Sequence, residues 1–176
     1  MMTELETQLE IARALLAGAD TPPELWEAND AANRAIALSP SGAEAWLLKA
    51  QILSALEDDT AALACAEMAV RRAPMASEGH YWRATVLADL GQLDEALRSL
   101  DRAFRTLAST DDWLREELHF EKGRILGEAG RTDEAREAVL AGLEQCPGSA
   151  LLRAGLEPLE RTRVRGLLKV LPGGAI

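Results

Sequence analysis

The chain has 176 residues, of which 48% are apolar, 27% charged and only 4% aromatic, and its formal net charge is −10. That length can bury one sizeable core, and an apolar share resting on Ala and Leu suits helices packed along one face, so a single all-α domain is expected. The acidity argues against general nucleic-acid affinity, which needs clustered Lys and Arg, while two cysteines without CxxC spacing, Cys65 and Cys146, exclude a disulfide framework and point to packing residues in a reducing compartment.

In chain order, the polar stretch Met1–Glu10 leads into Ile11–Ala17, which Arg13 interrupts, and this is not the pattern of a signal peptide. No apolar run reaches the ~20 residues of a membrane-spanning helix, so a cytoplasmic protein is expected. The first element is an amphipathic helix from Thr3 to Ala17. The turn Thr21-Pro22-Pro23 follows, and a second helix opens at Pro23 or Glu24 and runs to Leu38, with Pro40 beyond it.

From Ala43 to Leu56 the apolar residues Trp46, Leu47, Ala50, Leu53 and Leu56 recur at three- and four-residue steps, as one buried helical face requires. Glu57-Asp58-Asp59-Thr60 interrupts the pattern, Thr60 is placed to cap a further helix, and Pro74 stops that helix near Ala73 because it lacks the N–H of the helical ladder. Leu90-Gly91-Gln92 and Ala129-Gly130-Arg131 are matching turns, where Gly takes the left-handed conformation that ends a helix. After Pro147, Ser149 is placed to cap a helix from Ala150, and Pro158 either opens a second helix or breaks a continuous one. A capping segment over 150–171 is expected, and residues 172–176 are read as a mobile tail.

These elements repeat. Ala28, Ala62 and Ala96 stand 34 residues apart, as do Ala35, Ala69 and Ala103, and Pro40 and Pro74. The series resumes at Ala135, Gly142 and Pro147 after a 39-residue step, which places five extra residues at Thr110–Arg115. Small residues recur where two helices must approach closely: Ala50, Ala84 and Gly123 on the first helix, and Ala62, Ala96 and Ala135 on the second. A helix pair of this kind leaves apolar surface bare unless another stacks on it, which leads to a solenoid.

Ala43-Glu44-Ala45-Trp46, Ala50, Ala62, Ala66, Ala69 and Pro74, then Ala84, Gly91, Ala96, Leu100 and Ala103, then Gly123, Gly130, Ala135, Val139, Gly142 and Pro147 together resemble the tetratricopeptide repeat family. The resemblance covers residues 43–149. It implies a right-handed α-solenoid, a TPR-like superhelix of antiparallel helix pairs: a divergent first repeat at 3–40, repeats at 43–76, 77–110 and 116–149, and the C-terminal cap. It also implies a scaffold or adaptor that binds a peptide segment of another protein.

In the family the first helices line a concave groove. Carried over, place 2 is Glu44, Glu78 and Glu117, place 5 is Leu47, Tyr81 and Phe120, and place 9 is Gln51, Thr85 and Arg124. This is an acidic row beside an apolar and aromatic row, suited to a peptide with basic and apolar residues, although both rows also fit helix-starting acids and ordinary packing. The family's carboxylate clamp is missing, because place 6 is Leu48, Trp82 and Glu121, and Arg124 is the only cation among these places. A chaperone of secreted effectors, as some bacterial members are, is the alternative reading, and a subunit of an enzyme complex is a third.

His80 and His119 share place 4 with Trp46, and no third ligand stands at metal-site spacing, so both are read as packing residues. No catalytic set and no phosphate loop occurs, and neither enzymatic activity nor a cofactor is expected. The last 28 residues carry Arg153, Arg161, Arg163, Arg165 and Lys169 against Glu157 and Glu160, a net +3 against −13 for the rest. That asymmetry suits a solvated capping helix, self-association with the acidic groove of a second copy, or contact with acidic lipid.

Overall fold

A computed structural model describes the backbone of residues 2–170 and the side chains of residues 2–161. The anticipated tail at 172–176, and the side chains of Arg163, Arg165 and Lys169, lie outside the described residues. Among the described residues the chain is helical throughout: α1 (Glu4–Gly18), α2 (Pro22–Leu38), α3 (Ala43–Ala55), α4 (Asp59–Arg72), α5 (Ser77–Asp89), α6 (Leu93–Thr106), α7 (Asp112–Glu128), α8 (Thr132–Gln145) and α9 (Ala150–Val170). Two compact units result, residues 1–106 and 107–176.

The first unit stacks three antiparallel pairs, α1/α2, α3/α4 and α5/α6, with α2 against α3 and α4 against α5. Its first two helices begin alike. Thr3 accepts from the Glu6 N–H at 3.2 Å while Glu6 accepts from the Thr3 N–H at 2.7 Å, and Glu24 accepts from the N–H groups of Asp20 at 2.9 Å and Thr21 at 3.0 Å. The Asp58 carboxylate, not Thr60, caps α4 by accepting from Ala61 N–H at 3.1 Å. The reason is the preceding turn, which releases the chain from the helix at Glu57 and so brings the cap forward by two residues.

Three turns between paired helices share one hydrogen-bond pattern. Asp58 N–H bonds to Leu53 C=O at 2.9 Å and Glu57 N–H to Ser54 C=O at 2.9 Å; Gln92 to Leu87 and Gly91 to Ala88 repeat it, as do Arg131 to Leu126 and Gly130 to Gly127. This double closure needs a left-handed residue at its centre, and Gly91 and Gly130 have φ of 74° there. Glu57 occupies the same place with φ of 60°, a conformation that its Cβ disfavours.

The small-residue places do what close packing asks of them. Ala28, Ala50, Ala62, Ala84 and Ala96 are all fully buried. One core of unit 1 joins Leu9, Ala12, Ala32, Ala35, Leu48 and Ile52, and another joins Ala50, Leu53, Ala62, Cys65, Ala66 and Val86. Place 4 links successive pairs: Trp46 Nε1–H donates to Pro40 C=O at 3.2 Å, and His80 Nε2–H donates to Pro74 C=O at 2.9 Å. Each acceptor is the proline carbonyl six residues back.

In the second unit α7 pairs with α8, and α9 packs on both. Asp111 caps α7, accepting from Leu114 N–H at 3.1 Å, and the helix starts one turn earlier than α5 does relative to the repeat. The five additional residues are thus divided between a connection at 107–111 and that extra turn. His119 has no proline six residues before it. Its Nδ1–H donates to Ala138 C=O at 3.0 Å, and its Nε2 accepts from the Gln145 amide at 3.2 Å. Gly123 and Gly142 mark the tightest approaches, since a Cβ at 123 would meet Val139 Cγ2 at 2.5 Å and one at 142 would meet His119 Cβ at 2.6 Å.

Ser149 caps α9 as anticipated, accepting from Leu152 N–H at 2.9 Å and donating to Glu116. The helix then passes through Pro158 without dividing. An interior proline costs roughly 3 kcal/mol, and packing offsets it here: Pro158 and Leu159 lie against the α7 glycines, and Arg136 Nε holds Glu160 at 2.5 Å.

Candidate functional site

The first helices of unit 1, α1, α3 and α5, bring several of the sequence-predicted groove residues together. A recess of about 370 Å³ is lined by Arg13, Leu16 and Ala17 of α1, by Glu44, Leu47, Leu48 and Gln51 of α3, and by Glu78 of α5. A neighbouring recess of about 270 Å³ shares Glu44, Leu47 and Glu78 and adds the end of α4 and start of α5. Leu47 is half-buried between two acidic side chains, and Glu44, Leu47 and Glu78 form the ridge common to both recesses.

The arrangement follows from helical spacing. Glu44, Leu47, Leu48 and Gln51 stand three and four residues apart on α3, so they share one face. Leu48 is buried while Leu47 stays accessible, because the two are turned about 100° apart around the helix and Leu47 falls at the edge of the packed face.

Arg13 is the residue that repeat spacing did not assign to the groove. It pairs with Glu44 across 31 residues of sequence and with Glu10 at 2.6 Å. Ala12, fully buried, is the counterpart of Ala50 and Ala84 at the helix crossing. Matching those alanines offsets α1 from α3 by 38 residues instead of 34, because α2 begins three residues earlier relative to Ala28 than α4 does relative to Ala62, and α1 runs one residue further past Ala12 than α3 does past Ala50. That offset puts Arg13 at the place of Gln51 and Thr85, and this was the available signal. The acidic row therefore carries an internal cation at its start.

The third repeat differs from the expected open aromatic row. Tyr81 is only 8% exposed, and its ring packs edge-on to Trp82 with centroids 5.4 Å apart. Thr85 Oγ1 donates to Tyr81 C=O at 3.3 Å, so its hydroxyl is engaged by its own helix. The accessible apolar contribution in unit 1 comes from Leu47 and Leu16.

Within the second unit, Phe120 and Arg124 line a separate recess of about 350 Å³ with Gly123, Gly127, Gly155 and Leu159. The Phe120 ring lies against α9, 3.1 Å from where a Cβ of residue 155 would stand. Arg124 spans Glu128 at 2.7 Å and the buried Glu121 at 2.9 Å, while Glu117 is half-buried at the start of the same face. Glu121 at place 6 is thus an internal anion satisfied by Arg124, and the positive charge of Arg124 is largely spent.

No group of three or more His, Cys, Asp or Glu side chains is gathered to hold a metal among the described residues. Burial is the main cause that holds the His119 imidazole below its ordinary pKa, with Lys122 and Arg115 adding to it and the Ala138 carbonyl opposing. Burial likewise pushes the Cys65 thiol up. No described helix is long and apolar enough to cross a membrane.

The family model described as tetratricopeptide repeat matches residues 27–74 and 53–112. Among solved structures the chain is similar to TTC0263, a thermophilic TPR protein of Thermus thermophilus, at 23% identity and a TM-score of 0.74, covering 88% of this chain and 80% of that one. It is similar to YrrB, a TPR protein with an unusual peptide-binding site, at 26% identity and a TM-score of 0.63, covering 89% and 76%. MamA is a third, at 14% identity and a TM-score of 0.70, covering 91% and 82%. No curated protein matches the chain in sequence. The structural likenesses under 25% identity speak to the fold alone.

Proposed function

Because the chain belongs to the tetratricopeptide repeat family, we propose that it is a non-catalytic adaptor that binds a peptide segment of a partner protein on the first-helix face of unit 1. The observation that carries this reading is the pair of adjoining recesses sharing Glu44, Leu47 and Glu78. An accessible leucine flanked by carboxylates suits an apolar side chain with a Lys or Arg on either side of it. Leu16 and Leu48 extend the apolar surface, and Gln51 offers both a donor and an acceptor to a peptide backbone.

Arg13 sharpens the expected ligand. Because it already pairs with Glu44, a basic residue of the partner has to displace Arg13 there, from an exposed pair that is worth no more than about 1 kcal/mol. The resemblance to YrrB, whose peptide-binding site is described as unusual, supports looking for a peptide here. Two free cysteines, Cys65 and Cys146, fit a reducing compartment such as the cytoplasm.

The test is an array of short synthetic peptides that vary independently in charge and apolar content, probed with the full chain and with Leu47→Asp and Glu78→Lys variants. The reading expects binding to peptides that combine apolar and basic residues, and loss of that binding in both variants. Binding of equal strength in the variants would overturn it.

A further inference from the structure

Unit 1 has a third recess, about 260 Å³ between α4, α5 and α6, that shares no lining residue with the two above. Its character is opposite. Three arginines, Arg83, Arg98 and Arg102, line it with His80, Ser99 and Val70, and Glu95 is the only acidic residue of that lining. In a chain of net charge −10 a local excess of cations calls for a physical account.

The ion pairs here are long. Arg83 reaches Glu67 only at 3.7 Å and Arg98 reaches Glu95 at 3.4 Å, whereas Arg131 holds Glu134 at 2.6 Å and Arg136 holds Glu160 at 2.5 Å. Arg102 has no carboxylate partner among the described residues. Two of the three guanidiniums are thus held only at long range by a carboxylate, although acids are abundant in the chain.

The cluster is also oriented. Arg83, with 27% of its side chain exposed, donates to Ser99 Oγ at 2.5 Å, and Ser99 in turn donates to Glu95 C=O at 3.1 Å. That chain of bonds fixes one guanidinium at the inner wall, so little further ordering is needed for it to meet an anion. Arg98 and Arg102 stand one helical turn apart on α6 and flank the opening. His80 contributes no donor from Nε2, which is committed to Pro74.

We propose that this recess binds a carboxylate of an acidic segment in a partner polypeptide, with Arg83 as the anchor and Arg98 and Arg102 closing on the same group. Charge complementarity carries the assignment: three arginines line one recess where the chain itself supplies one lining carboxylate, and guanidinium matches a carboxylate's two oxygens with paired donors. The site is independent of the leucine-and-acid face, which selects the opposite charge. A partner with both kinds of segment, or two partners, can then engage one repeat unit.

The probe is a short dye-labelled peptide of alternating Glu and Ala, titrated with the full chain and followed by fluorescence anisotropy at low and at physiological salt. The wild type binds, more weakly as salt rises, and Arg98→Glu with Arg102→Glu weakens binding by about tenfold or more. A charge-matched control, Arg72→Glu with Arg105→Glu, alters exposed cations outside the recess and leaves affinity within about threefold of wild type, a shift below the tenfold step of about 1.4 kcal/mol. Leu47→Asp leaves acidic-peptide binding intact, which separates this site from the other face. Absence of binding by the wild type, or equal weakening by the two Arg pairs, would overturn the proposal.

Discussion

Replacing Glu57 by Gly should stabilise the first unit, although it removes a side chain and adds nothing. Glu57 sits at φ of 60° in the turn where the later repeats carry Gly91 and Gly130, and all three turns make the same two backbone hydrogen bonds. A left-handed non-glycine residue costs roughly 1–2 kcal/mol, and glycine returns about 0.5–1 kcal/mol of that through its freer unfolded chain. The expected net gain is therefore ~0.5–1 kcal/mol. With a melting shift of about 2–4 °C per kcal/mol at this chain size, the unfolding midpoint should rise by about 1–4 °C. The assay is urea and thermal unfolding followed by circular dichroism. Glu57→Ala is the control, since it removes the same negative charge beside Asp58 and Asp59 but keeps the conformational penalty. Gly91→Ala and Gly130→Ala provide the reverse test: a Cβ at either position meets nothing within 4 Å, so any loss of about 1 kcal/mol comes from the backbone alone. Equal stability of Glu57→Gly and Glu57→Ala would mean that the left-handed backbone at 57 carries no penalty.

Other consequences concern the second unit. Gly142→Ala should destabilise by about 1–3 kcal/mol, because the new methyl meets the His119 Cβ and the Leu152 side chain; denaturant midpoints check this. Pro158→Ala restores a helical N–H in the middle of α9 and should raise stability by about 1 kcal/mol or more, read from the same transition. Since burial holds the folded His119 pKa below its unfolded value, the unfolded state binds the proton more readily. The contribution of this residue is therefore complete above about pH 6.5 and is lost as pH falls from there through the depressed folded value. His119→Gln should flatten that part of the stability profile, and an unchanged slope between neutral and mildly acidic pH would contradict it. In unit 1, Cys65, buried and with its thiol pKa raised, should resist native alkylation until the unit opens.

How far the fold could be read in advance depended on which forces set each part. Small residues 34 apart reported helix crossings directly, and Ala50, Ala62, Ala84 and Ala96 are fully buried as that reading requires. The glycine turns were equally legible, because φ near 74° leaves few alternatives to Gly. The α4 cap was misjudged, since Glu57 takes the left-handed place without advertising it and so hands the cap to Asp58 instead of Thr60. Pro158 misled in the other direction: a local breaker is overridden by packing on α7 and α8, a tertiary effect that the sequence does not display locally.

Repeat places set the candidate site in part. Places 2, 5 and 9 named Glu44, Leu47 and Gln51, which line one recess together with Glu78. They could not reveal that Tyr81 turns inward against Trp82, because the same place is accessible in Leu47 and the difference lies in the neighbours. Arg13 was hidden by the extra residues at the end of α1 and the start of α2, which break the 34-residue count for the first helix only.

The most direct test of the adaptor reading is nuclear magnetic resonance mapping of the full chain against one short peptide that alternates Leu and Lys. Amide shifts should concentrate at Leu16, Glu44, Leu47, Gln51 and Glu78, and should disappear in Leu47→Asp while the rest of the spectrum is retained. Shifts centred on another face, or undiminished by that substitution, would contradict that reading.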